Sequence, residues 1–178
     1  MPCSNRVSVA ASLRDARSLH AAKRLEHSNS LLPRVAVRNN QRLVRVSLPS
    51  LQRFAEAACS LVWTRKQQTS EMTGLTHIDV LIVSDRRMAA LHKKFCGVSG
   101  ATDVLTFQHG EIVISADTAA MQARQCRTCT IAEIQLYLLH GLLHLAGFND
   151  TTPSQRRQMH RLQNKLMTLI SPGTAGCE

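Results

Sequence analysis

The stretch DVLTFQHGEIVIS, running from Asp103 to Ser115, decides the fold class. DVLTF and EIVIS are rich in β-branched and aromatic residues, and QHG between them holds a glycine suited to a tight turn. The whole reads as a strand, a turn and an antiparallel return strand. Upstream, HIDVLIVSD at 77–85 is a near-continuous apolar run that fits a buried central strand. Strands and helical stretches alternate around this hairpin, which predicts an α+β fold: a single domain with one mixed β-sheet flanked by helices.

Working outward, RVAV at 34–37 and LVRVSL at 43–48 read as two extended pieces, the second through the alternation Val44, Val46, Leu48. Leu51, Phe54, Ala55, Ala58, Leu61 and Val62 then recur at helical steps, predicting a helix from Pro49 or Ser50. Asp85 is placed as the N-cap of a short helix that turns Met88, Leu91 and Phe95 inward and stops at Gly97. Ser115 is placed as the cap of a helix reaching about Arg127. TIAE at 130–133 has the capping-box pattern, so a helix should run from Thr130 to Gly147. A last helix should open at TTP (151–153), bury Met159, Leu162, Leu166 and Leu169, and end at Pro172 and Gly173.

A length of 178 residues suits one domain. Residues 1–32 are expected to form a basic disordered tail, 33–171 the domain and 172–178 a short C-terminal tail. A transit peptide is the sharper reading of the first segment and an inert extension the blander one. The formal net charge is +10, of which the first 40 residues contribute seven basic side chains against Asp15 and Glu26, leaving +5 for the rest. That excess favours a polyanionic partner. Aromatics are few (Phe54, Trp63, Phe95, Phe107, Tyr137, Phe148), which argues against binding by base stacking. No apolar run has the length of a membrane helix and no signal-peptide core is visible, so the expected compartment is the cytoplasm, with no membrane partner and the six cysteines reduced.

The chemistry is concentrated in LLHGLLHLAGFND, Leu138 to Asp150. Residues four apart on a helix lie one above the other, so His140 and His144 present two imidazoles to one point. Gly147 can adopt a left-handed conformation, letting the chain fold back and carry Asp150 to the same point. Two histidines and a carboxylate, with a position left open, make a catalytic zinc site. The spacing is similar to the metzincin pattern H-E-x-x-H-x-x-G-x-x-H. However, the glutamate that serves there as general base is replaced by Gly141, which counts against a peptidase. Other candidates take ordinary roles: Cys126 and Cys129 as two thiols at chance spacing, His160 on the surface, His92 and His109 without a partner at metal spacing, and Glu133 in the capping box.

With ATDVLTF and GEIVIS ahead of it, HGLLHLAGFND resembles the YbeY family of bacterial metal-dependent endoribonucleases, over roughly Pro33 to Leu169. The family's usual motifs read H-G-x-L-H-L-x-G-[YF]-D-H and P-T-[DN]-V-L-S-F. The resemblance implies a metal helix lining a cleft, one zinc ion, and a role in ribosomal RNA processing and ribosome maturation. Three positions depart from the pattern. Asp150 stands where the third ligand is usually histidine, Ala101 where proline is usual, and Cys96 where an arginine often stands, leaving Lys93 and Lys94 as the nearby cations for a phosphate. Asp103 and Glu111 are the acids in this segment that could serve as a general base. The expected function is zinc-dependent hydrolysis of single-stranded RNA, in particular small-subunit ribosomal RNA. The alternatives are a zinc metallopeptidase and a non-catalytic, metal-stabilised ribosome-assembly factor.

Overall fold

A computed structural model describes residues 32–171; the expectations for the N-terminal tail and for Pro172 and Gly173 lie outside the described residues. Four strands form one sheet: β1 (Arg34–Asn39), β2 (His77–Val83), β3 (Val104–Phe107) and β4 (Glu111–Ser115). Their order is β1-β2-β4-β3, with β1 and β4 parallel to β2 and β3 antiparallel to β4. The hairpin is therefore the antiparallel part of a mixed sheet, as the opening stretch predicts. Among the described residues five α-helices complete the fold: α1 (Leu48–Trp63), α2 (Asp85–Cys96), α3 (Ala116–Cys126), α4 (Thr130–Leu145) and α5 (Pro153–Ile170).

Alternation along the strands divides the apolar side chains between two faces. Ile78, Val80 and Ile82 of β2 and Ile112 and Ile114 of β4 point to one face, where they pack with α1, α4 and α5. Leu105, Phe107 and Val113 point to the other, which Met88, Leu91 and Phe95 of α2 cover. From Glu133 onward α4 is almost entirely buried, so its apolar residues surround it instead of forming a stripe.

Several local expectations are corrected. LVRVSL forms no strand: the Gln41 side chain closes on Val44, donating to its carbonyl at 2.8 Å and accepting its N–H at 2.9 Å, and Leu43 is 81% exposed. These bonds turn the chain toward α1 before it can join the sheet. The cap of α2 is Ser84 and not Asp85, whose carboxylate accepts instead from the hydroxyls of Ser115 and Thr118. At α4 the cap is Cys129, whose side chain makes no capping hydrogen bond, and Glu133 accepts from Thr128 Oγ1 at 2.8 Å in place of a capping box. Among the described residues a capping box is formed at α5 instead, between Thr152 and Gln155. Leu169 is 54% exposed and outside the core. Cys59, Cys96 and Cys126 are free thiols, whereas Cys129 is disulfide-bonded, so the cysteines are not uniformly reduced.

Candidate metal centre

The site is built at the end of α4. Its last turn closes with a paired motif: Gly147 N–H donates to the His144 carbonyl at 2.9 Å and Phe148 N–H to the Leu143 carbonyl at 3.0 Å. Gly147 has φ +91°, and a Cβ there would stand 3.2 Å from Gln67 Cβ, so glycine satisfies both the turn and the close approach. This reversal has two consequences. It carries Asp150 back over the helix, and it turns the Phe148 carbonyl toward His144, whose Nδ1 lies 3.0 Å away.

His140 is held in the same manner from another element, its Nδ1 lying 3.0 Å from Gln163 Oε1 on α5. Both acceptors are oxygens, so each Nδ1 carries the proton and each Nε2 carries a lone pair. These two lone-pair nitrogens face one another at 3.0 Å. Asp150 Oδ2 lies 3.9 Å from His140 Nε2, and ligand atoms of all three residues fall within 4.8 Å of one another. Two nitrogens on a tetrahedral zinc, each bound at about 2.0–2.1 Å, are about 3.3 Å apart. The donor set thus fits one zinc ion in spacing and in chemistry, because a cation between them relieves the repulsion of the lone pairs.

Burial lowers the pKa of both imidazoles. His144 is pushed down to about 4, by desolvation first and by its neighbour His140 second. His140 moves the same way for the same leading reason, partly opposed by its Gln163 bond and by the charges of Asp150 and Asp103. Neutral imidazole is the form that binds metal, so at neutral pH both rings are ready as ligands. Arg156 of α5 donates to the Asp150 carbonyl at 3.3 Å and ties the ligand loop to the same helix that anchors His140.

Gly141, where a metzincin would carry its base, rests directly on the sheet. A Cβ there would stand 2.8 Å from Ile112 Cγ2 and 3.0 Å from Thr106 Oγ1. The position is closed to any side chain, and one built there would point into the β3–β4 hairpin.

The other sequence candidates fall at varying distance from this group. Asp103 Oδ1 accepts from Thr102 Oγ1 and Val104 N–H at the entry of β3, and its charge is felt at His140. Glu111 leaves β4 on the same side as Val113, the α2 face, and its carboxylate lies 3.4 Å from His109 Nε2. It is not brought to the metal group. Lys93 and Lys94 are exposed in the last turn of α2, which covers the face of the sheet opposite α4. Lys94 Nζ lies 5.0 Å from the Phe95 ring centre. Cys96 packs beside them, with burial raising its thiol pKa. His92 is buried, its Nδ1 2.9 Å from the Gly100 carbonyl, and His160 is exposed on α5.

Gln163 is the functional side chain that sequence reasoning passes over. Its signal is a polar residue between Met159 and Leu166 in the buried stripe of α5. Nothing local to α5 says that this amide meets an imidazole on α4.

A family model for Endoribonuclease YbeY matches residues 36–171. The Endoribonuclease YbeY of an Anaeromyxobacter species is 43% identical over 99 residues, covering 50% of this chain and 52% of that protein. That of Thermodesulfovibrio yellowstonii is 30% identical over 155 residues, covering 78% of this chain and 98% of its own length. The solution structure of TM1509 from Thermotoga maritima shares the fold, with a TM-score of 0.56 at 20% identity, over 81% of this chain and 97% of that one. No helix among the described residues is long and apolar enough to cross a membrane. The matched span contains the whole hairpin, α4, the ligand loop and α5, and on that ground this chain belongs to the YbeY family of endoribonucleases.

Proposed function

We propose that this chain is a zinc-dependent endoribonuclease that hydrolyses phosphodiester bonds in single-stranded RNA, acts in maturation of small-subunit ribosomal RNA, and works in the cytoplasm. The observation that carries the reading is the pair of Nε2 atoms 3.0 Å apart with the Asp150 carboxylate beside them. His140, His144 and Asp150 would hold the ion. Zinc with three protein ligands supplies Lewis acidity toward a phosphate oxygen or water. The chain supplies the rest: Gln163 and the Phe148 carbonyl fix the two rings, and the ligand loop is tied to α5 through Arg156. Family membership supports RNA as the substrate, and the closed Gly141 position counts against the peptidase alternative.

The test uses one preparation of the full chain, incubated with an unstructured oligoribonucleotide and with casein, with and without chelator. RNA cleavage that chelator abolishes and zinc restores is the expected result, with casein intact. Chelator-sensitive casein cleavage, or RNA cleavage that persists in H140A/H144A, would overturn the proposal.

A further inference from the structure

Helix α5 carries Arg156, Arg157, Arg161 and Lys165 and contains no acidic residue over its 18 positions. Its buried side, Met159, Gln163 and Leu166, is spent on the core and on His140, so these cations stand on the outward side, all exposed. Arg157, Arg161 and Lys165 follow one another at four-residue steps, which sets them in one row about 6 Å apart along the helix axis. None of the three is in an ion pair among the described residues, and Arg156 is engaged only with the Asp150 carbonyl. A solvated surface helix usually mixes charges of both signs at such spacing. This one presents an uncompensated cationic row.

The row is also placed. Its helix touches the metal group twice, through Arg156 at Asp150 and through Gln163 at His140. We propose that the outward face of α5, with Arg157, Arg161 and Lys165 as its contacts, is the track along which the RNA backbone lies as it enters the metal centre. This proposal rests on the ribonuclease reading and adds to it the surface that holds the strand. Guanidinium groups suit phosphate oxygens through bidentate bonding, and a lysine adds a point charge. Arg157, Arg161 and Lys165 offer charge and no aromatic ring, so the contacts of the row are to phosphates and carry no base preference.

The experiment measures binding of a fluorescent, nuclease-resistant 2′-O-methyl oligoribonucleotide to the zinc-loaded full chain across a salt series. It compares the parent with R157Q/R161Q/K165Q and with a control of equal charge loss on other surfaces, R53Q/R86Q/R87Q. Each phosphate neutralised on a single strand adds about 0.7 to the slope of log affinity against log salt, so removing three cations from the track should flatten it by about 2. Over a fourfold rise in salt the parent should therefore lose about 16-fold more affinity than the α5 variant. The control should keep the parental slope, and the single variants R157Q, R161Q and K165Q should each flatten it by about 0.7. Equal flattening in the control and the α5 variant would reduce the effect to net charge and overturn the proposal. So would poly-glutamate competing as well as RNA at equal charge, which would make the face a docking site for acidic polypeptide. Parental binding and cleavage unchanged in the α5 variant would overturn the track alone, whereas a parent that neither binds nor cleaves RNA would overturn the ribonuclease reading as well.

Discussion

Gln163→Leu tests whether the site depends on α5 as the geometry implies. The substitution keeps the volume and apolar contacts of a residue that is 7% exposed, and removes the Oε1 that stands 3.0 Å from His140 Nδ1. Losing an acceptor for a buried donor costs about 1–3 kcal/mol, which corresponds to roughly 5- to 150-fold in an equilibrium constant. Partners that orient a metal-binding histidine are typically worth about 10- to 100-fold in affinity. Both routes lead to the same expectation: zinc affinity falls by about 10- to 100-fold although no ligand has been touched. Competition against a chromophoric chelator measures it directly, with circular dichroism to show that the chain remains folded. Gln163→Glu should retain at least the parental affinity, because the acceptor remains and a carboxylate makes the ring a stronger donor to metal. If Gln163→Leu binds zinc as tightly as the parent, the ring is held by α4 alone and the account of α5 as a support for the metal centre is wrong.

Other consequences follow from the same geometry. Asp150→Ala should lose most of the zinc affinity, whereas Asp150→His should keep the metal and move the pH-activity profile to lower pH, since a carboxylate offsets one unit of metal charge and imidazole does not; unchanged affinity in Asp150→Ala would place the third ligand elsewhere. Gly141→Glu should fail to give a peptidase and should lower stability by more than about 3 kcal/mol, because the Cβ alone meets Ile112 at 2.8 Å; a folded, casein-cleaving variant would refute the packing argument. Metal-free protein should lose stability as pH falls. The His144 pKa is pushed down to about 4 in the folded chain from an ordinary 6.5, so the unfolded chain takes up the proton first. The stabilisation is complete above pH 6.5, is lost between 6.5 and 4 at up to about 1.4 kcal/mol per pH unit, on the order of 3 kcal/mol in all, and levels off below. Urea unfolding in chelator at several pH values checks it, and a flat profile would contradict the burial of these rings.

Whatever depends on neighbours within a few residues is legible in the amino-acid order. The His140–His144 pair, the Gly147 reversal, the Ser115 cap and the hairpin around Gly110 all follow from helical or strand periodicity and turn chemistry, and each stands where that reasoning places it. What depends on partners far along the chain emerges only on folding. Val44, Val46 and Leu48 alternate as a strand does, yet a strand needs an edge to pair with, and Gln41 and α1 take the segment first. Asp85 and Glu133 have the residue types of caps, but Thr118 and Thr128 offered them other hydroxyl partners. The parallel pairing of β1 and β4 with β2, which sets the strand order, leaves no mark on any one strand. The same holds for the site. Periodicity can bring two imidazoles to one face of a helix, but their proton positions are set by a carbonyl beyond the helix end and an amide 23 residues away, and those hydrogen bonds exist only once α5 has packed on α4.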